Sequence, residues 1–322
     1  MLRILVNVLV IVSVTTADAL PNTKLLNDGN RIPIVAYGTF GKTYEVDIIK
    51  PAVIKAIEAG YRHIDTAAVY QNEEQIGDAI VDVIKRGIVK REDLWITTKL
   101  SLDVGTREGV LKSLQTSLNK LKLDYVDLYL IHFPMNLRNL QEHDYLSIWK
   151  GMEDMKKLNL ARSIGISNFK SSEINKILLN SKIVPSVNEI EVNPNFVDLD
   201  LVAYCQSLNI TVMSYAPFGF MAPRPYLNYT TSITFENPVL KRIAQKYGKT
   251  TSQVVLRYLL DRDTIPIPRS TNAERIELNI DILDFNLTEN EVYEINELNE
   301  DAKVYDFNDE SFLPVFVDYY GL

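Results

Sequence analysis

Four residues near the front of the chain have types and spacing that could do carbonyl chemistry: Asp65, Tyr70, Lys99 and His132. Asp65 and Tyr70 fall in GYRHIDTAAVY (Gly60–Tyr70), Lys99 ends LWITTK (Leu94–Lys99), and His132 follows DYVDLYLI (Asp124–Ile131). A phenol is a weak acid at neutral pH, and a nearby ammonium lowers its pKa by stabilising the phenolate. Lys99 can supply that ammonium if an anion such as Asp65 holds it. His132 can orient a carbonyl oxygen beside the Tyr70 hydroxyl, an arrangement suited to protonating that oxygen as the carbon is attacked. The chain offers no evident nucleophile for the carbon. A hydride from a nicotinamide would fill the gap, since a cofactor carries such steps.

These residues must be brought together by elements about 30 residues apart, the length of one βα unit. Each sits at the end of a short apolar, β-branched or aromatic run followed by a helical pattern. Strands are expected at Tyr61–Asp65, Leu94–Lys99, Tyr125–Ile131, Ser163–Ser167, Ser186–Val192, Thr211–Tyr215 and Thr264–Ile267, with an eighth near Ile282–Leu283. Helices alternate with them, among them Pro51–Ala59, Glu73–Arg86, Thr106–Leu121, Pro238–Tyr247 and Glu289–Leu298. Eight alternations and no G-x-G-x-x-G after the first strand predict an α/β fold, a (β/α)8 TIM barrel rather than an open doubly wound sheet. All four polar groups then lie at the carboxyl-end face of the strands. Asn27-Asp28-Gly29-Asn30 marks an N-terminal β-hairpin lid under the barrel. Phe218–Phe235 reads as a long loop on the C-terminal face, and the tail from Val304 to Leu322 as aromatic and irregular.

The 322 residues carry 34 Lys+Arg against 42 Asp+Glu, net charge −8, with no basic tract, so no nucleic-acid partner is expected. The first residues read as a cleaved signal peptide, 1–19. Arg3 precedes an apolar run, Ile4–Val14, and Ala17-Asp18-Ala19 has the small-x-small form of a cleavage site. That run is too short for a membrane span, so no span is expected after cleavage. Residues 20–322 form one domain, secreted and monomeric on this reading. Sequons at Asn209, Asn228 and Asn286 would make it a glycoprotein; Asn228 is the favoured site and Asn209 the doubtful one. A lone cysteine, Cys205, excludes an internal disulfide and reads as a buried thiol. With three histidines and no ligand spacing, no metal site is expected. His63 reads as a core histidine and His143 as a surface one.

GYRHIDTAAVYQNEEQIG, ITTKL, DYVDLYLIHFP, SIGISNF, VNEIEVNP, SYAPFG and IPRSTNAERIELN together resemble the aldo-keto reductase family over essentially the whole chain from Lys24. The resemblance implies a catalytic tetrad of Asp65, Tyr70, Lys99 and His132, with Tyr70 as proton donor. It implies that Ser167, Asn168 and Glu189 hold a nicotinamide carboxamide and that Tyr215 stacks on the ring. It also implies an NADP 2′-phosphate and adenine clamp of Arg269, Ser270, Thr271, Arg275 and Asn279, so NADP(H) is the expected cofactor. Phe40, His132, Phe133, Phe312 and Phe316 are expected to line the site for a small carbonyl substrate. The chain departs from the family pattern where Glu189 replaces a Gln, Arg269 a Lys, Leu278 a Glu, and Phe40 and Phe133 each a Trp. An ionised Glu189 could not donate to a carboxamide oxygen, which would leave Asn168 to do so. The signal peptide, VNEIEVNP and a short loop after His132 are similar to secreted insect members, among them 3-dehydroecdysone 3β-reductases, which implies a 3-oxo ecdysteroid as substrate.

A general aldehyde or aldose reductase fits the same residues. A non-catalytic NADP(H)-binding barrel would need no intact tetrad. A glycosidase built on Glu189 and Glu191 fits worse, because its acids belong on different strands and it has no use for the clamp.

Overall fold

In a computed structural model describing residues 22–41, 46–135, 144–223, 227, 229–307 and 311–320, the alternating pattern forms one parallel sheet curled into a barrel. Its strands are β3 (Tyr37–Gly38), β4 (His63–Asp65), β5 (Trp95–Lys99), β6 (Val126–Ile131), β7 (Ala161–Ser167), β8 (Val187–Glu191), β9 (Thr211–Tyr215) and β10 (Thr264–Pro266), paired in chain order. The ring closes where Ala36 N–H donates to Pro266 O and Gly38 N–H to Pro268 O, both at 3.0 Å. A Cβ on Gly38 would come within 3.0 Å of Ile267, so the closing strands approach as only glycine comfortably allows.

The (β/α)8 barrel expected from the sequence is therefore present, with one strand assigned differently. Tyr37–Gly38 is the first barrel strand, and Ile282–Leu283 is not a strand. Two residues are too few to show a period of two, and β3 is extended only because β4 and β10 flank it. Ile282 is apolar because it is buried in the layer between barrel and helices.

The hairpin of β1 (Thr23–Leu25) and β2 (Arg31–Pro33) turns at Gly29, whose positive φ suits glycine. It plugs the N-terminal end of the barrel. Leu26 and Ile32 join Trp95, Leu128, Leu130, Val187, Met213 and Ile265 in the barrel interior. Asn30 bonds Ser163 at 3.0 Å and Asp28 pairs with Lys156 at 2.5 Å.

The helices are α1 (Val46–Glu58), α2 (Glu73–Lys85), α3 (Arg107–Leu121), α4 (Tyr145–Lys157), α5 (Ser171–Asn180), α6 (Leu199–Ser207), α7 (Pro238–Tyr247), α8 (Thr251–Asp261), α9 (Ala273–Ile280), α10 (Glu289–Asn296) and α11 (Phe312–Tyr320). Pro51 lies inside α1 rather than in its first turn. The tail, read from sequence as irregular, carries α11, whose buried Phe312 and Phe316 pack with Phe40, Tyr305 and Phe307. Cys205 is fully buried and burial pushes its thiol up to about 11, an inert state. Asn209 and Asn286 are exposed, while residues 1–19, Asn228, His143 and most of the loop after Met135 lie outside the described residues.

Candidate active site

Asp65 ends β4, Lys99 ends β5, His132 follows β6, Ser167 ends β7 and Tyr215 ends β9. Parallel pairing puts these ends at one face, and the side chains meet there. Lys99, wholly buried, donates from Nζ to both Asp65 oxygens at 2.8 and 2.9 Å and to Thr66 O at 3.1 Å. Tyr70 is delivered by a short 3-10 turn, Ala68–Tyr70, and its Oη lies 3.5 Å from Lys99 Nζ. The His132 ring centre is 5.8 Å from that of Tyr70. All four residues expected to form the tetrad are thus in one cluster.

The protonation of the cluster differs in one respect from the sequence argument. Burial raises the Tyr70 hydroxyl above the ordinary phenol range; Lys99 opposes this, and Asp65 and Glu189 add to it. Lys99 contributes with the expected sign but does not win, and Tyr70 keeps its proton at neutral pH. Burial, then Lys99, hold His132 well below its usual range, so its imidazole is neutral. Its Nδ1 is buried with no partner among the described residues. Burial would lower Lys99, yet Asp65 and Glu189 more than offset that, and the ammonium is secure.

Glu189 is placed where sequence reasoning did not put it. Its Oε1 lies 3.2 Å from Lys99 Nζ, so one ammonium serves two buried carboxyls. The sequence signal was its place on an inward-facing strand position, in register with Ser167. Ser167 Oγ donates to Glu189 O at 2.8 Å. Asn168, left-handed at φ 65°, donates from Nδ2 to His132 O (3.0 Å) and Ser167 Oγ (3.1 Å), and accepts from Tyr215 Oη at 2.7 Å. Both amide hydrogens of Asn168 are engaged inside the protein, so the donor role assigned to it from sequence is already taken.

These groups open onto a cavity of about 820 Å³. Phe40, Phe133 and Phe316 line it as expected, and so do Tyr305, Phe307 and Tyr319, which sequence reasoning left as tail aromatics. Phe312 does not line it; it stacks behind Phe316 at 5.5 Å. Glu191, on the same strand as Glu189, accepts from Val304 N at 2.7 Å and Tyr305 N at 3.0 Å, which fixes the tail over the mouth. The five clamp residues follow β10, where Arg269 reaches the cavity. Ser270 accepts from Asn272 N (3.1 Å) and Arg275 Nε (3.3 Å), Asn279 is buried, and Thr271 and Arg275 are exposed; these four clamp residues do not line the cavity itself. Two guanidiniums beside a helix start suit a phosphate, and Ser167, Glu189 and Tyr215 suit a planar amide-bearing ring, so the residues fit a phosphorylated nicotinamide dinucleotide.

The chain is similar to known proteins over most of its length. The model of the Aldo/keto reductase family matches residues 35–300. The aldo-keto reductase AKR2E4 of Bombyx mori is 51% identical over 291 residues, covering 88% of this chain and 94% of its own. Its crystal structure in complex with NADP superposes with a TM-score of 0.86 at 50% identity, covering 90% of this chain and 96% of that one. That of AKR2E5 complexed with NADPH gives 0.84 at 36%, covering 88% and 89%. Dihydrodiol dehydrogenase 3 of Bos taurus is 38% identical, covering 86% of this chain and 91% of its own.

Proposed function

The chain belongs to the aldo/keto reductase family, NADP(H)-dependent oxidoreductases that act on small carbonyl substrates, and from that premise we propose that Tyr70 protonates a bulky ketone held against aromatic walls, a 3-oxo ecdysteroid fitting best. When bound, NADP(H) supplies the hydride or takes it back. Tyr70, protonated and next to Lys99, delivers a proton to the carbonyl oxygen, and the ammonium stabilises the phenolate left behind. Neutral His132 holds that oxygen in place, and Asp65 holds Lys99. Ser167, Glu189 and Tyr215 position the nicotinamide, while Arg269 and Arg275, with Ser270, Thr271 and Asn279 around them, hold the phosphate-bearing end.

The contact between Lys99 and Tyr70 under an aromatic-lined cavity carries this reading. Phe40, Phe133, Phe307 and Phe316 offer flat apolar surface to a polycyclic ketone, and Ser101 and Asp103 at the mouth offer polar groups to its hydroxyls. A panel of 3-oxo ecdysteroid, other steroid ketones, aldoses and aromatic aldehydes, followed by NADPH absorbance, tests it. The expected order of kcat/KM puts the ecdysteroid first. Preference for an aldose would replace the proposal with a general aldose reductase, and no oxidation of NADPH by any carbonyl would leave a binding protein. A secreted location is proposed with it, on the Ala17-Asp18-Ala19 cleavage pattern.

A further inference from the structure

Lys99 has three N–H donors and more acceptors than it can serve. Both Asp65 oxygens, Thr66 O, Glu189 Oε1 and Tyr70 Oη all lie within 3.5 Å of Nζ. Glu189 is 2% exposed, and its Oε2 is buried with no donor among the described residues. The Glu189 and Asp65 carboxyls approach closely enough to hydrogen-bond once either carries a proton. Two ionised carboxylates on one buried ammonium would leave an uncompensated negative charge in the cavity wall, and such pairs keep a proton between them.

We propose that Glu189 and Asp65 share one proton across the Lys99 ammonium, and that its release makes the cavity prefer the oxidised, positively charged nicotinamide over the reduced, neutral one. The proposal rests on NADP(H) being the cofactor. Burial, then Asp65, push Glu189 well above the carboxylate range, and the contact with Asp65 keeps the proton on Glu189. The other groups facing the pair hold their state through neutral pH. His132, after β6, is neutral; Tyr70, on its turn, and Tyr215, ending β9, are raised and protonated; Lys99, ending β5, is raised and charged. Burial raises Glu191, farther along β8, against the lowering by Val304 and Tyr305 backbone N–H groups, and it is absent from the groups that shift Lys99. It is unchanged in Glu189→Gln, so its own titration cancels between wild type and that variant. When protonated, Glu189 is neutral and can donate a hydrogen bond, as the family's Gln would. When ionised, it adds a negative charge that attracts a cationic ring and not a neutral one.

The test compares wild type with Glu189→Gln, which keeps the shape and cannot ionise. Fluorescence titration with NADPH and NADP+ from about pH 5 to about pH 9 gives the ratio of their Kd values, in which the titration of the shared 2′-phosphate cancels. In wild type, Kd(NADPH)/Kd(NADP+) should rise about tenfold with pH, the scale of one pKa unit of differential interaction. Glu189→Gln should give a flat ratio. A flat wild-type ratio, or the same slope in both proteins, overturns the cofactor link. A wild-type-minus-variant infrared difference spectrum, taken without cofactor, should show a protonated-carboxyl stretch at pH 7; its absence overturns the shared proton. Failure of wild type to bind either cofactor would instead overturn the NADP(H) reading together with the link, and the infrared band would still decide the shared proton. Stability has a defined sign as well. The folded chain holds a proton that the unfolded carboxyl has lost, so this contribution is present below the unfolded carboxyl range and fades as pH rises, a decline that Glu189→Gln should remove.

Discussion

The two ends of the barrel each bury carboxyl groups, and they treat them in opposite ways. At the hairpin end, Asp127 on β6 accepts from Arg91 Nη2 at 2.7 Å, Arg162 Nη1 at 3.0 Å and Ile96 N at 2.9 Å. Two guanidiniums and a backbone amide surround one carboxylate, Tyr125 packs on Arg91, and every partner holds its place. At the opposite end one ammonium faces two carboxyls, and Glu189 Oε2 and His132 Nδ1 lack partners among the described residues. Excess cation around a carboxylate whose oxygens are both hydrogen-bonded fixes a structure. Excess anion with orphaned polar atoms holds a proton that can leave, and leaves polar atoms for a ligand to satisfy. The same fold thus puts its structural charges at the end the hairpin closes and its chemical charges at the end left open.

The comparison can be broken by substitution, starting with the largest effect. Tyr70→Phe should lower kcat for ketone reduction by about 10²–10⁴-fold, the worth of a general acid, while NADPH titration and melting temperature stay near wild type. Residual turnover above about a hundredth of wild type would remove Tyr70 from the proton-donor role. Asp127→Ala should do the reverse. It strands Arg91 and Arg162, so denaturant unfolding should show a loss of about 3 kcal/mol, with kcat per folded molecule unchanged. A fall in kcat would show that the two ends are not independent. Arg275→Ala changes an exposed side chain in the first turn of α9, which bonds Ser270 at 3.3 Å. NADPH should bind about tenfold more weakly, with little change for NADH and none in stability. Equal losses for both cofactors would show that the 2′-phosphate is not read at Arg275.

Much of the open end was legible in the sequence. Asp65, Lys99, Ser167 and Tyr215 each close a short apolar run, and such runs separated by period-3.6 stretches leave a parallel sheet as the arrangement that buries both. Their clustering follows, because strands in a parallel sheet end on one side. The hairpin was legible for a similar local reason, since Asn27-Asp28-Gly29-Asn30 satisfies a tight turn by its own backbone preferences. What escaped was whatever depended on distant neighbours. Tyr37–Gly38 is a strand only because β4 and β10 sit on either side. The tail forms α11 because Phe312 and Phe316 have Phe40 and Tyr305 to pack against. The placement of Tyr305 and Phe307 over the cavity depends on Glu191 gripping backbone N–H groups far along the chain.

Residue types and their periodicity therefore determined the barrel, the face that carries the chemistry and the four groups that perform it, because those are consequences of local geometry repeated along the chain. The tertiary structure alone decided the protonation of that face. Sequence places an ammonium near a phenol and implies an acidic tyrosine, but burial shifts each ionisable group according to the solvent it loses and the charges it meets. Only the folded barrel brings Glu189 to Lys99, and that meeting leaves Tyr70 holding its proton with two carboxyls sharing one more.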